Sequence, residues 1–356
     1  MSGQAVQVWE IILLFAVLVF ALALLLVFII LRKSFSRQES ADILTGYRAT
    51  IDKKIAIILV DAMENSSEGS YYNAVKGLTL LVQKYPVLEQ YVLDTINRQY
   101  GNLVGDSKTV LKRLYADLSL HQISLKKLEN RSWHVQAVGI RELEKMDQSV
   151  SVDRIFMFIN AKKSELRKVA RLALTKLETG NLTFLDHLDE ELSEWEQLAM
   201  HERLKNRAKT DLPDFSKYYF HEQNSVVEFS IKMTVEFGFY ELVPQLITLL
   251  KASKNHRIKL LTVQALTRLE AYQAVPLVRS LLQSEDSAAL SIACLNFLGN
   301  IDDLSSQWLI EMFMSKEDME IRMAAVNAAI KLRMEFSAIN QDIENILLHF
   351  ENELIS

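Results

Sequence analysis

The stretch LRKVARLALTKL, residues 166–177, decides the fold that the sequence predicts. It carries apolar or small residues at every third or fourth position, which places them on one side of a helix. The same order of side chains returns in IKLLTVQALTRL, residues 258–269, and in IRMAAVNAAIKL, residues 321–332. A pattern that returns at intervals in one chain indicates a repeat protein.

Weaker copies of this frame start at 135 and 287, and two degenerate units fit between 178 and 240. The starts are spaced at a regular interval that falls within the range of helical repeat proteins. In the second half of the chain, another apolar helix precedes the frame: VPQLITLL at 243–250 and VPLVRSLL at 275–282. Proline in the first helical turn costs no backbone hydrogen bond, so both stretches are acceptable helix starts. The predicted unit is a helical hairpin. The residues that define the frame are Val135, Gly139, Leu166, Arg167, Ala170, Leu174, Ile258, Ala265, Leu295, Ile321, Arg322 and Ala325.

These hairpins resemble the HEAT-repeat family and its bacterial relatives, in which a Val-Pro-x-Leu-like helix precedes a helix of the form Val-Arg-x-x-Ala-x-x-Ala-Leu. The resemblance covers about 130–335 and departs from the family pattern where Gly139 and Thr262 replace alanine. It implies an α-solenoid, in which stacked hairpins bury one continuous core. We therefore expect an all-α fold, with a transmembrane helix followed by an α-solenoid of HEAT-like hairpins.

The expected order of segments follows from composition and periodicity. It is a short tail at 1–10, a transmembrane helix at 11–31, a juxtamembrane linker at 32–40, a helical N-terminal subdomain at 41–130, and a HEAT-like repeat domain at 131–356 that is irregular at about 185–240. The irregular part is either a pair of degenerate repeats or an insertion.

The transmembrane prediction rests on the run from Ile11 to Leu31, in which every residue is apolar. As a helix rising about 1.5 Å per residue, it covers roughly 30 Å, the thickness of a bilayer core. Trp9 precedes the run as an interfacial anchor, and Arg32 and Lys33 follow it. Positive charge after the helix predicts a single-pass membrane protein with its N-terminus outside and its C-terminal domain in the cytoplasm.

Charge is divided unevenly along the chain. Residues 32–176 carry a net charge of +8 and residues 177–356 a net charge of −12. The basic half is either a surface for anionic lipid or a set of solvated helix faces. The acidic half argues against nucleic acid as a partner, because phosphate binding needs a clustered basic face.

Catalytic signatures are missing from the sequence. No glycine-rich phosphate loop and no Gly-x-Ser-x-Gly nucleophile motif occurs. Cys294 lies on the apolar stripe of a repeat helix, where cysteine behaves as a small hydrophobic residue. We expect no catalytic centre and no cofactor.

Two His-Glu dipeptides, His201-Glu202 and His221-Glu222, are weak candidates for metal ligands. One HEAT-like enzyme, deoxyhypusine hydroxylase, holds a di-iron centre with such dipeptides, and imidazole and carboxylate suit iron. That family has four pairs at repeat spacing, whereas this chain has two pairs, closer together than one repeat and in its least regular region. We interpret them as coincidental.

Four aromatic residues lie together where the repeat is least regular: Phe215, Tyr218, Tyr219 and Phe220. They form either a buried cap between two blocks of repeats or a loop for docking a partner, since aromatic residues are enriched in binding hot spots.

The leading functional hypothesis is a membrane-anchored cytoplasmic scaffold or adaptor that binds other proteins through its solenoid surface. Its partners would be proteins of unknown identity and, through the N-terminal helix, the lipid bilayer. One alternative is an accessory subunit of a larger membrane complex, such as surface-polysaccharide or transport machinery. The other is a metalloenzyme that uses the His-Glu pairs.

Overall fold

The computed structural model describes residues 2–63, 68–103, 105–284 and 287–334. Regular structure within these ranges is helical throughout, and none of the described residues forms a strand. The all-helical expectation therefore agrees with the structure. The chain divides into two compact units, Met1–Ser151 and Val152–Ser356. The predicted segment limits, which start the repeats at 131, stay a prediction.

The first unit contains six described α-helices. They are α1 (Ser2–Met63), α2 (Glu68–Lys84), α3 (Val87–Asn102), α4 (Asp106–Asp117), α5 (His121–Leu128) and α6 (Trp133–Lys145). The C-terminal part of α1 packs against α2, α3 and α4, and Ile51, Ile55 and Ile58 are buried there. Their spacing of three and four residues puts all three on one side of α1. Helices α5 and α6 form a hairpin.

The prediction of a transmembrane helix at 11–31 is corrected by the structure. Among the described residues, no helix is long and apolar enough to cross a membrane. The predicted single-pass topology and orientation rested on this helix and are corrected with it, and the bilayer is left without support as a partner. Of the predicted anchor residues, the side chains of Trp9, Ile11 and Lys33 lie outside the described residues, and Leu31 and Arg32 are exposed.

The second unit is built from helical hairpins. Its helices are α7 (Val152–Phe156), α8 (Ser164–Leu177), α9 (Glu194–Leu204), α10 (Asn224–Glu236), α11 (Val243–Ala252), α12 (His256–Arg268), α13 (Val275–Ser284), α14 (Ala288–Asn300), α15 (Gln307–Met314) and α16 (Met319–Lys331). The hairpins are α7 with α8, α11 with α12, α13 with α14, and α15 with α16. The second helices α10, α12, α14 and α16 stack on each other in that order. One core runs from Tyr219 to Met334, as expected for stacked repeats.

The repeat interval is kept through the irregular region. Helices α6, α8, α9, α10, α12, α14 and α16 begin at positions 133, 164, 194, 224, 256, 288 and 319, a nearly constant interval. Between α8 and α10, short 3-10 helices at Thr183–His187 and Phe215–Tyr218 stand where the first helix of a hairpin would be. The helix starts in 178–240 thus keep the interval of the later hairpins, and the assignment of this stretch as two degenerate repeats stays a prediction. The frame start predicted at 287 is wrong by three positions. Ile258 is the third residue of α12, and the third residue of α14 is Leu290.

Several second helices end in the same turn. After α12, Glu270 adopts a left-handed conformation with φ 51°, and the backbone N–H of Ala271 donates to the carbonyl of Leu266 at 3.0 Å. This is a Schellman motif, which satisfies carbonyl groups at the helix end. The equivalent left-handed residues after α6, α10, α14 and α16 are Asp147, Gly238, Asp302 and Arg333. The turn sends the chain back to begin the next hairpin.

Candidate functional site

A buried ion pair joins the second helices α8 and α9. Arg171 donates from Nη1 to Oε1 of Glu196 at 3.1 Å and from Nε to the carbonyl of Ile159 at 2.9 Å. The other carboxylate oxygen of Glu196 accepts from the Ser193 hydroxyl at 2.6 Å, and the two residues form the capping box of α9. The exposed fractions are 2% for the Arg171 side chain and 4% for the Glu196 side chain. Glu196 therefore starts α9 and fixes it to α8.

Glu191 lies with Glu196 in an acidic stretch, residues 186–196, and links this stretch to α10. Its carboxylate accepts from the backbone N–H groups of Asn224 at 3.2 Å and Ser225 at 2.7 Å, at the first turn of α10. Burial would raise the pKa of Glu191, but the hydrogen bonds from Ser225 and Asn224 outweigh it and hold the pKa below its ordinary value. A negative charge at a helix N-terminus is also favoured by the helix dipole.

Two other acidic side chains of the stretch 186–196 form ion pairs with neighbouring repeats. Asp186 pairs with Lys217 at 2.7 Å, and Glu190 pairs with Arg167 at 2.6 Å. The acidic stretch 186–196 therefore connects neighbouring repeats by ion pairs and hydrogen bonds where their first helices are short.

The aromatic cluster lies mostly in the core. Phe215, Tyr218 and Tyr219 are fully buried, and the hydroxyl groups of Tyr219 and Thr234 are hydrogen-bonded at 2.6 Å. Only Phe220, with 61% of its surface exposed, could contact a partner without unfolding of the segment. The structure places the first three as packing residues.

The frame residues that the sequence singled out lie at the packed side of their helices. Buried members are Gly139, Leu166, Ala170, Leu174, Ile258, Ala265, Leu295 and Ala325, and Val135, Ile321 and Arg322 are half-buried. Arg167 closes the turn before α8, because its Nη1 donates to the carbonyls of Ala161 at 2.8 Å and Lys162 at 3.2 Å. These residues pack within the fold, and one of them, Ala265, also lines the groove described next.

A groove of about 420 Å³ opens between the second helices α9, α10 and α12. Its apolar lining includes Leu198 from α9, Phe229 and Val235 from α10, and Leu261 and Ala265 from α12. Leu198 is 62% exposed although it is a large apolar residue. Near it on α9, Trp195 is 57% exposed. Val235 and Leu261 are half-buried and Phe229 and Ala265 are buried, so the apolar surface open to a ligand comes from Leu198, Val235 and Leu261. An exposed large apolar side chain beside a groove marks a candidate interaction site.

Polar side chains bridge the groove and line its rim. Lys232 of α10 donates from Nζ to Oε1 of Gln197 on α9 at 2.9 Å. Nε2 of His201 lies 3.4 Å from a carboxylate oxygen of Glu236, at a geometry that makes no hydrogen bond. Arg268 lines the α12 side. The groove therefore has an apolar floor and a charged rim.

The two His-Glu pairs do not come together as a metal site. His201 faces the groove, whereas His221 lies in the turn before α10, where its Nδ1 accepts from the backbone N–H of Gln223 at 3.1 Å. Glu202 pairs with Lys205, and Glu222 is exposed. Within the described ranges, no three His, Cys, Asp or Glu side chains are placed to share a metal ion.

The groove residues Leu198, Lys232 and Arg268 were not predicted from the sequence. An available signal was the repeat interval, which would have placed α9 at 194 and left Trp195 and Leu198 as large apolar residues away from the packed stripe. The sequence of α9 departs so far from the repeat pattern that this helix was not recognised as part of a repeat.

Of three comparisons with known proteins, the one with protein-family models agrees with the repeat assignment. A comparison with curated proteins found no match. Among solved structures, an engineered protein is similar over 60% of this chain and 96% of its own, with 12% identity and a TM-score of 0.30. The complex of CpcE and CpcF of phycocyanin lyase from Nostoc sp. PCC7120 is similar over 83% of this chain and 92% of its own, with 13% identity and a TM-score of 0.26. Similarities at these scores carry no information on function. Residues 243–332 match the family model for HEAT repeats, and this match supports the HEAT-repeat family that the frames at Ile258 and Ile321 predict.

Proposed function

We propose that the second unit of the chain is a protein-binding module whose binding site is the groove between α9, α10 and α12. The observation that carries the proposal is the groove itself, about 420 Å³ in volume, with an exposed apolar side chain, Leu198, at its edge. Repeat solenoids typically bind other proteins through such extended surfaces, and the HEAT match at 243–332 includes the α12 wall.

The composition of the groove suits a protein partner. Protein interfaces combine an apolar centre with a polar rim, and aromatic residues, methionine and arginine are enriched at their centres. Leu198, Val235 and Leu261 supply the apolar centre, and Lys232 and Arg268 supply part of the rim. A side chain of the partner that fills the centre would bury apolar surface worth about 1.5 to 3 kcal/mol.

The test compares two single substitutions in the affinity-tagged full chain. Leu198→Lys places a charge at the groove, and Tyr272→Lys places the same charge at an exposed aromatic residue outside it. Proteins that co-purify with each variant from the source cells are quantified by mass spectrometry. We expect Leu198→Lys to lose at least one protein that both the unchanged chain and Tyr272→Lys retain. Equal recovery of every co-purifying protein with all three chains would contradict the proposal.

The other hypotheses have less support. The His-Glu dipeptides lie apart, so a metalloenzyme would need ligands from elsewhere in the chain. A place in a membrane machine was inferred from the transmembrane helix, which the structure corrects. A scaffold role without membrane anchoring is the form of the leading hypothesis that we retain.

A further inference from the structure

Three lysine side chains surround one tyrosine ring in the first unit. The ring belongs to Tyr100, in the last turn of α3. The ammonium nitrogens of Lys108, Lys145 and Lys112 lie 5.0, 5.5 and 5.9 Å from its centroid. These are cation–π distances, so one ring attracts all three charges. Lys108 and Lys112 are one turn apart on α4, and Lys145 ends α6, so three helices hold this lysine cluster together.

The lysine cluster carries more positive charge than its contacts neutralise. Lys112 forms an ion pair with Asp147. Within the part of the chain that the structure describes, neither Lys108 nor Lys145 forms an ion pair. The ammonium group of Lys145 donates instead to a neutral group, the backbone carbonyl of Asn97. The tyrosine ring attracts cations but has no net charge. Two of the three positive charges therefore lack a carboxylate partner.

The carboxylates nearest in sequence do not fill this role. Glu144 precedes Lys145 on α6, and Asp106 lies two residues before Lys108 on α4. Side chains one or two residues apart on a helix point in different directions. Neither carboxylate therefore faces the lysine that it neighbours in the sequence.

The two kinds of lysine in the cluster differ in their pKa values. Burial would lower the pKa of Lys112, but the hydrogen bond and the charge of Asp147 outweigh it and hold the pKa above its ordinary value. Burial and then the positive charge of Lys108 hold the pKa of Lys145 below its ordinary value. An anion placed between Lys108 and Lys145 would offset this repulsion in the way that Asp147 does for Lys112.

The chemistry of the missing anion follows from the number of charges. A phosphate monoester carries a charge of about −1.5 to −2 at pH 7 and offers three acceptor oxygens, whereas a carboxylate carries one charge. A lysine ammonium group binds phosphate as a compact point charge with three donors. All four residues of the site are half-buried, so the ammonium groups are partly withdrawn from water. A phosphate dianion matches the two unpaired ammonium groups.

We propose that the lysine cluster, Lys108, Lys112 and Lys145 around Tyr100, is a binding site for a phosphate-bearing ligand. The phosphate group lies against the ammonium groups of Lys108 and Lys145. This site belongs to the first unit and does not depend on the groove of the second unit. A soluble phosphorylated molecule and the phosphomonoester headgroup of a lipid share this chemistry, and the experiment distinguishes them.

Acetylation of lysine side chains, measured by mass spectrometry, tests the site in the full-length chain. Brief treatment with N-acetoxysuccinimide labels accessible amino groups, with and without tripolyphosphate, at an ionic strength matched with sodium chloride. We expect saturating tripolyphosphate to lower the labelling of Lys108 and Lys145 about tenfold, because bound phosphate covers their nitrogens. Lys126, an exposed lysine of α5 in the same unit, is the internal control and is expected to keep its labelling.

Two substitutions connect the protection to binding. Lys145→Gln keeps most of the side chain and removes one charge, and is expected to weaken tripolyphosphate binding in calorimetry about tenfold. Lys126→Gln removes the same charge from α5 and is expected to change the affinity less than about twofold, since an exposed distant charge is screened. Circular dichroism of both variants controls for loss of fold. An equal loss of affinity in both variants would mean attraction to general charge and would overturn the site.

Vesicles separate the two sources of phosphate. The same labelling is repeated with phosphatidylcholine vesicles that contain phosphatidic acid and with vesicles of phosphatidylcholine alone. Protection of Lys108 and Lys145 by tripolyphosphate identifies a soluble ligand, and protection by phosphatidic acid vesicles alone identifies a lipid headgroup. Protection of neither lysine by either probe, or equal protection of Lys126, would overturn the proposal.

Discussion

At the scale of single residues, the pair of Arg171 and Glu196 is expected to dominate the stability of the irregular region. Both side chains are buried, so removing one leaves an unpaired charge in the core. We expect Arg171→Ala to lower the free energy of unfolding by about 3 to 5 kcal/mol. Urea unfolding followed by circular dichroism measures the change. Lys217→Ala, which removes the exposed partner of Asp186, is expected to cost about 1 kcal/mol or less. Equal effects of the two substitutions would contradict the assignment.

The left-handed turn after α12 gives a stabilising substitution. Glu270 has φ 51°, which costs a residue with a side chain about 1 to 2 kcal/mol. We expect Glu270→Gly to raise the free energy of unfolding by about 0.5 to 1 kcal/mol, because the strain removed exceeds the entropy that glycine loses on folding. The reciprocal change, Gly238→Ala, places a side chain at φ 61° and is expected to lower stability by about 1 kcal/mol. Thermal unfolding of both variants measures the two changes in stability. A change in the same direction for both would contradict the left-handed conformation of these turn residues.

The depressed pKa of Glu191 predicts a pH dependence. In the folded chain this pKa lies below its ordinary value, about 4.3 in an unfolded chain. The stability that Glu191 contributes is therefore complete above about pH 4.3 and is lost as the pH falls through the folded pKa. We expect Glu191→Gln to be less stable than the unchanged chain at pH 7, with the difference shrinking at lower pH in this acid range. Urea midpoints across the pH series test it, and a difference independent of pH would refute the capping role.

At the scale of helices, the repeat pattern predicts those second helices whose packed positions hold apolar residues. It misses the second helices that hold polar residues at these positions. Helices α8, α12 and α16 coincide with the frames quoted from the sequence. In α9, Glu196 stands where α8 has Leu166, because it must pair with Arg171. In α10, Ser230 and Thr234 stand at the small and apolar positions, and their hydroxyls bond to the carbonyls four residues earlier. A pattern search that looks for apolar residues cannot find a buried polar residue that is satisfied by its neighbours.

Close approach of two helices explains the glycine that departs from the family frame in α6. A Cβ atom at Gly139 would lie 2.6 Å from the carbonyl oxygen of Ser124 in α5, so the helices would have to separate. We expect Gly139→Ala to lower the free energy of unfolding by about 1 to 3 kcal/mol. Gly46→Ala is the control in α1, where nothing lies within 4 Å, and helix propensity alone is expected to raise stability by about 1 kcal/mol. Denaturant unfolding of the two variants should give opposite signs, and stabilisation by both would show that α5 and α6 are not in close contact.

At the scale of the whole molecule, the repeat architecture could be predicted from the sequence and the groove could not. The groove depends on how three second helices, spread from 194 to 268, are spaced beside one another, and periodicity gives the order of helices without their separation. The segment 186–196 reads as a solvated acidic face in the sequence, whereas the structure uses Glu191 and Glu196 as ties. The apolar run at the N-terminus shows the reverse error, since composition alone predicted a span that the described helix does not support.

The central claim is that the groove between α9, α10 and α12 binds a protein. Hydrogen–deuterium exchange of the purified full chain, alone and with the protein that Leu198→Lys fails to retain, tests it most directly. We predict slower exchange in α9, α10 and α12 on binding, and no change in α13 and α15. Protection confined to α13, α15 or the first unit, with α9, α10 and α12 unchanged, would contradict the claim.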